Sequence, residues 1–277
     1  MMNKSAPQTH LVTGATGTVG RQIVRELTER GHTVRALTRD PAKASFPQGV
    51  EAVGGDLTDP ATLPPALDGV TGLHLITFGG HAALETGPEI VELARKAGVR
   101  RVTVLHGGGP TPLEDAVRAS DLHWTVVMPV EFMANALDWA ESVRAEDVVR
   151  APFADQPSAM VHEADIGAVA AVALATDGHA GKEYVVTGPQ ALDVRDKVAV
   201  LAAARGREIR LVEMSEAEAA AEWRAQGHDE ESVAWMVETF KNIPPVGRTV
   251  VGTVERVTGR PARTFAEWAA EHKGDFV

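Results

Sequence analysis

Short apolar runs alternate with helical stripes over the first half of the chain. The runs Leu11–Thr13, Thr33–Leu37, Val50–Val53, Leu73–Thr77, Val102–Leu105 and Trp124–Met128 predict six strands. Near-continuous apolar runs such as Leu73–Ile76 suit strands covered on both faces, as in a parallel sheet. Between them Ile23, Val24 and Leu27 form one helix stripe, and Ile90, Leu93, Ala94 and Ala97 another. Asp59-Pro60 reads as an N-cap followed by proline at the first helical position. A strand–helix rhythm of this kind predicts right-handed crossovers and an open, doubly wound parallel α/β sheet.

Beyond about residue 130 helical patterns dominate: Met133–Arg144, Ala164–Ala175, Asp193–Ala204, Ser215–Ala225, Glu230–Lys241 and Phe265–His272. Ser215 with Glu218 and Thr264 with Glu267 spell capping boxes. Two strands interrupt the helices, Glu183–Thr187 and a weaker Glu208–Val212. The expected organisation is a nucleotide-type domain over 1–130 and a smaller, mostly helical lobe over 131–277. Helix 164–175 is free to pack back on the first sheet.

The 277 residues suffice for this, and 44% apolar with 23% charged residues is ordinary globular composition. No apolar run reaches membrane-spanning length, and Met1–His10 lacks the apolar stretch of a signal peptide. Zero cysteines remove disulfides, thiolate metal sites and cysteine nucleophiles together, and fit a cytoplasmic setting. A net charge of −11 argues against binding a nucleic-acid backbone. It leaves room for a local basic site for one small phosphate.

The first strand runs into Gly14-Ala15-Thr16-Gly17-Thr18-Val19-Gly20, a G-x-x-G-x-x-G loop that opens a helix. Glycines here permit a tight turn, close backbone approach to a pyrophosphate and close helix–strand packing. The helix start offers free N–H groups and partial positive charge to the anion. The strand-before, helix-after context gives an otherwise weak glycine triplet its meaning. About 20 residues on, where a ribose-binding carboxylate is expected, stands Arg39, followed by Asp40 and Pro41. A guanidinium can pair with a 2′-phosphate that a carboxylate would repel, so the cofactor expected is NADP(H). Lys43 is a second candidate for that charge; the competing reading leaves Arg39 in solvent and gives the ribose to Asp40.

The spacing from Thr13 through Asp40, with Gly55-Asp56-Leu57, resembles an atypical, NmrA-like short-chain dehydrogenase/reductase with a Rossmann fold. Trp124-Thr-Val-Val-Met-Pro-Val-Glu-Phe-Met-Ala-Asn135, Val161-His-Glu-Ala-Asp-Ile166 and Val186-Thr-Gly-Pro189 extend the likeness over most of the chain. The resemblance implies an adenine-edge contact at Asp56 and Leu57, although Asp56 could equally be a turn-former. It also implies a nicotinamide-side wall at Pro129, Val130 and Phe132, with Asn135 facing the cleft or capping a helix.

Ligands of doubly wound sheets sit beyond the carboxyl ends of the strands. That selects Thr77–His81, with Thr77 and Phe78 as cofactor contacts, together with His106–Gly109 and Pro129–Phe132. The superfamily's Tyr-x-x-x-Lys pair is absent, because the single tyrosine, Tyr184, is followed by Val185-Val186-Thr187-Gly188. His106 stands where the family commonly has a serine. With an unperturbed pKa near neutrality it is the leading candidate for a proton donor or carbonyl orienter, ahead of His81 and Glu131. A general acid is worth about 10²–10⁴-fold, and a quinone or conjugated carbonyl needs that help less than an isolated ketone.

His162-Glu163-Ala164-Asp165 lacks the spacing of H-E-x-x-H, Asp165 reads as a cap for a helix from Ile166, and no metal is expected. Ser120 and Ser158 have no G-x-S-x-G setting. Met133, Trp139, Trp223, Trp235, Met236 and Phe240 suit either a pocket for a flat, apolar small molecule or plain core packing. Two functions follow: an NADPH-dependent reductase of a quinone, enone or ketone, and a non-catalytic redox sensor that binds the dinucleotide.

Overall fold

The computed structural model describes residues 8–80 and 82–277. In chain order the elements are β1 (Thr9–Val12), α1 (Gly20–Glu29), β2 (Thr33–Thr38), β3 (Val50–Gly54), α2 (Pro64–Leu67), β4 (Gly72–Ile76), β5 (Phe78–Gly79), β6 (Ala82–Ala83) and α3 (Gly87–Lys96). There follow β7 (Arg101–Leu105), α4 (Pro112–Ala119), β8 (His123–Pro129), α5 (Ala140–Glu146), β9 (Val148–Pro152), α6 (Glu163–Ala175), β10 (Lys182–Val186) and α7 (Val194–Arg205). The chain ends with β11 (Arg210–Met214), α8 (Glu216–Ala225), α9 (Glu230–Lys241), α10 (Pro245–Arg248), α11 (Thr253–Thr258) and α12 (Phe265–Glu271).

Two compact units result. The first comprises the chain up to Pro129, Glu163–Val186 and Thr253–Arg260; the second comprises Val130–His162, Thr187–Gly252 and Pro261–Val277. The helix anticipated at 164–175 thus packs back in the first unit, as its sequence allowed, whereas the strand anticipated at Glu183–Thr187 departs from the expected contiguous lobe over 131–277, lying in the first unit as far as Val186. The strand observed, Lys182–Val186, pairs in parallel with β8 and forms an edge of the main sheet.

That sheet has seven strands in the order β10-β8-β7-β4-β1-β2-β3, and every pairing is parallel. The order reverses between β1 and β4, which places the topological switch point at the end of β1. One face carries Leu11, Leu73, Leu75, Val102 and Val104, packed with Ile90, Ala94, Leu113 and Val117 from α3 and α4. Against α1 lies α6, a helix rich in alanine and buried all round. Its Gly167 is dictated by that approach, since a Cβ there would lie 2.6 Å from the Gln22 Cβ.

Asp165 is buried inside α6, which begins at Glu163, so it does not cap a helix from Ile166. Two acidic residues in the first turn meet the positive end of the helix dipole there. Asp59 precedes a short 3-10 turn with Pro60 at its first position, but its side chain caps nothing. The helix expected over Met133–Arg144 divides into a 3-10 stretch, Met133–Trp139, and then α5.

In the second unit β9 and β11 form a separate parallel pair. Its core gathers Met133, Val143, Val149, Met160, Leu201, Phe265, Trp268 and Phe276, with the Phe265 and Trp268 rings stacked at 5.4 Å. Trp139 packs at the edge of this core, and Trp223 stacks on Phe240 at 5.9 Å between α8 and α9. Trp235, 60% exposed, stands in solvent. Met133 and Trp139 are therefore packing residues, and packing also accounts for the Trp223–Phe240 pair. Among the described residues no helix is long and apolar enough to cross a membrane.

Candidate functional site

The loop between β1 and α1 is built around close backbone approach. Gly14 adopts φ +60°, a left-handed conformation that a side chain would strain. A Cβ on Gly20 would lie 2.0 Å from the Gly14 carbonyl oxygen, so the helix can start this near the turn only with glycine. Ala15 and Val19 are buried and anchor the loop, while Thr16, Gly17 and Thr18 form its exposed crown.

No side chain caps the start of α1. The Gly17 amide donates to the Gly14 carbonyl at 2.9 Å. The amides of Thr16, Thr18, Val19 and Gly20 donate to no acceptor among the described residues. Four unsatisfied N–H groups at a helix start form a receptor for an anion. Arg21, absent from the sequence-derived candidates, donates to the carbonyls of Thr16 at 2.6 Å and Gly17 at 3.2 Å. It thereby ties down the loop and sets a cation at its rim.

Past β2, Arg39 is exposed and makes no hydrogen bond or ion pair among the described residues. Its neighbour Arg35 shows the contrast, being held by Glu51 at 2.9 Å and by the carbonyls of Ala66 and Asp68. Lys43 pairs with Asp40 at 2.9 Å on an exposed surface, an interaction worth about 0–1 kcal/mol. Asp56 takes the turn-forming role: its carboxylate accepts from the Thr58 amide at 2.9 Å and the Thr58 hydroxyl at 2.8 Å. Those bonds, with Arg39 nearby, hold its carboxyl below the usual range. Leu57 turns its side chain into the core, and its carbonyl accepts from the Thr86 hydroxyl at 2.6 Å, so its side chain is not free to meet an adenine.

The ends of β4 and β7 meet beside the same edge of the sheet. Thr77 is buried, with its hydroxyl directed at the Leu105 carbonyl at 3.4 Å. Gly107 lies against Phe78, where a Cβ would come 2.2 Å from the ring. His106 follows β7, and its Nδ1 is 2.7 Å from Oε1 of Glu114, a carboxylate with no exposed surface. Sequence reasoning missed Glu114. The signal was Thr111-Pro112-Leu113-Glu114, a further T-x-x-E pattern at a helix start. His81 lies outside the described residues. Pro129 ends β8, and Tyr184, in β10, bonds His179 through its hydroxyl at 2.8 Å.

In the second unit, Glu131 is already engaged. Its Oε2 accepts from the Lys197 ammonium at 3.0 Å and from the Ser158 hydroxyl, and Lys197 also reaches Ser158 at 2.9 Å. Lys197 is buried, so this carboxylate serves as its counter-charge. That employment argues against Glu131 as a proton donor. Phe132 bridges to Val161, Val130 is half-buried and Asn135 is exposed.

A family model described as NAD(P)H-binding matches residues 14–112. The NAD(P)H azoreductase of Xenophilus azovorans is 36% identical over 281 residues, covering 96% of this chain and 98% of that protein. The (4-alkanoyl-5-oxo-2,5-dihydrofuran-3-yl)methyl phosphate reductase of Streptomyces griseus is 37% identical over 96% of this chain and 99% of its own. Among solved structures, the NADPH-dependent quinone oxidoreductase QOR2 of Escherichia coli complexed with NADPH superposes with a TM-score of 0.80 at 24% identity, covering 95% of this chain and 99% of that one.

Proposed function

This chain belongs to the NmrA-like, atypical short-chain dehydrogenases/reductases, a family of NAD(P)H-binding Rossmann proteins, and from that premise we propose that it is an NADPH-dependent reductase of conjugated small molecules. The substrate class is a quinone, an enone or a ketone conjugated to an aromatic system. The observation that carries the cofactor half of the proposal is the row of unsatisfied amides at Thr16, Thr18, Val19 and Gly20. These groups suit a pyrophosphate, and the unpaired guanidinium of Arg39 suits the additional 2′-phosphate of NADPH. When bound, the reduced nicotinamide supplies hydride.

The chain's own contribution is to bind, orient and hold protons. Without a Tyr-x-x-x-Lys pair, the proton-bearing group best supported is His106, at the end of β7. A substrate that delocalises incoming charge over a conjugated system suits such modest acid assistance. The relatives support reduction of conjugated small molecules more broadly: one is named for azo reduction, another for reduction of an alkanoyl oxodihydrofuran, a conjugated carbonyl compound. Binding to nucleic acid is disfavoured by the net charge of −11.

The test mixes protein and NADPH with a panel of quinones, aromatic enones and azo compounds and follows loss of nicotinamide absorbance. Substrate-dependent oxidation is expected for at least one class. NADPH binding without oxidation over the whole panel would overturn the reductase in favour of the redox-sensor reading.

A further inference from the structure

Glu114 occupies a position that elsewhere in this chain closes a helix cap. In α12 the Thr264 hydroxyl accepts from the Glu267 amide, and the Glu267 carboxylate returns to the Thr264 amide at 2.7 Å. The same reciprocal box forms with Ser215 and Glu218 at α8. At α4 the first half is present, with the Thr111 hydroxyl accepting from the Glu114 amide at 3.3 Å. The second half is missing. The Glu114 carboxylate turns away from the cap and meets His106 Nδ1 at 2.7 Å, while its other oxygen receives the Thr111 hydroxyl at 3.4 Å. A capping contribution has been diverted to one imidazole.

The surroundings indicate why. Glu114 is fully buried, and among the described residues no lysine or arginine is paired with it. A buried carboxylate requires hydrogen bonds and a counter-charge, and the first turn of α4 already favours an anion. Among the described residues, His106 is the side chain bonded to it that can supply positive charge. Its other nitrogen, Nε2, has no partner among the described residues, and the side chain is partly exposed.

Resting on the reductase reading, we propose that Glu114 is the positioning residue that makes His106 a one-nitrogen proton donor. The carboxylate keeps one proton on Nδ1 and fixes the ring. The exchangeable proton is then the one on Nε2. In the imidazolium form the Nε2–H bond breaks and an O–H bond forms on the substrate oxygen, which gains charge as NADPH delivers two electrons with its hydride. The imidazole left behind retains Nδ1–H toward Glu114 and recovers its Nε2 proton from solvent. Glu114 itself is not consumed. Orientation of a histidine by a carboxylate through Nδ1 is a recurring arrangement in proton-transfer sites.

The experiment compares wild type, Glu114→Gln and Glu114→Asp by ¹⁵N NMR of the imidazole, by NADPH binding and by quinone turnover. In neutral wild-type His106 the proton is expected on Nδ1. In Glu114→Gln a mixture of tautomers is expected, with turnover down about tenfold or more and NADPH affinity within about twofold. Glu114→Asp keeps the buried charge but is one methylene shorter. It secures the test should the amide variant fold poorly, and a partial loss of both tautomer bias and turnover is expected. An Nδ1–H tautomer and turnover unchanged in either folded variant would overturn the proposal while leaving the reductase intact. A wild type that binds NADPH but turns over nothing would sink the reductase reading and the proton delivery with it, while the NMR would still show whether Glu114 fixes the ring.

Discussion

Acid should destabilise this protein well above the range in which its carboxylates titrate. His10 in β1 and His74 in β4 have no exposed surface. Among the described residues neither ring nitrogen of His10 has a partner, and His74 bonds only the Thr103 hydroxyl, through Nδ1 at 2.9 Å, leaving Nε2 bare. Gly72 opposite makes the room, since a Cβ there would lie 2.4 Å from His10 Nδ1. Burial lowers both histidines from 6.5 to about 3, with His32 and Arg101 adding repulsion at His10.

The unfolded chain therefore binds two protons that the folded chain excludes between those values. The associated stability is complete above pH 6.5 and is lost as pH falls toward 3. Each group contributes a slope of up to about 1.4 kcal/mol per pH unit. Between pH 7.5 and 5 the two together remove about 4 kcal/mol, a large part of a typical folding free energy of about 5–15 kcal/mol. His32 and His179, also lowered by burial, act in the same direction.

The assay is urea unfolding at the two pH values, followed by circular dichroism, in wild type and His74→Leu. Because each protein is compared with itself, the cost of orphaning the Thr103 hydroxyl cancels. Wild type should lose about 4 kcal/mol and the variant about 2 kcal/mol. An equal loss in both, or a wild-type loss below about 1 kcal/mol, would refute the claim that these rings are held neutral.

Further outcomes are expected at the cofactor loop, at Arg39 and in the second unit. Arg39→Ala should weaken NADPH about tenfold to a hundredfold by calorimetry while NADH changes little, because one charge-assisted pair is removed; equal losses would contradict the assignment. Gly20→Ala should cost about 1–3 kcal/mol of stability and abolish measurable dinucleotide binding, as its Cβ meets backbone at 2.0 Å. Lys197→Ala leaves Glu131 without its ammonium partner and should cost about 3–5 kcal/mol in thermal or urea unfolding, with Lys197→Met/Glu131→Gln recovering much of it; an additive double variant would count against the pair. His106→Ala should lower turnover while NADPH affinity stays nearly constant, read by steady-state kinetics alongside calorimetry.

Much of this molecule is written locally. Apolar runs of strand length, the 3.6-residue stripe of Ile23, Val24 and Leu27 and the boxes at Ser215 and Thr264 depend on neighbours within one or two turns. They determined the parallel α/β core, and the glycine spacing marked the tight loop between β1 and α1. Tertiary structure alone decided which distant segments meet. Lys182–Val186 has the pattern of any short strand, and only its pairing with β8 makes it the seventh strand of the main sheet. The alanine helix α6 has no polar face to orient it, so its place against α1 rests on the shape of Gly167 against Gln22. The site divides in the same way. Thr111-x-x-Glu114 reads as a cap in sequence, yet the carboxylate turned to the His106 ring, which the fold brings within 2.7 Å of it. Glu131 carried no sign of its lysine 66 residues away. Periodicity encodes which face of an element is buried; the partner a charged group finds there is set by long-range packing, which no local window contains.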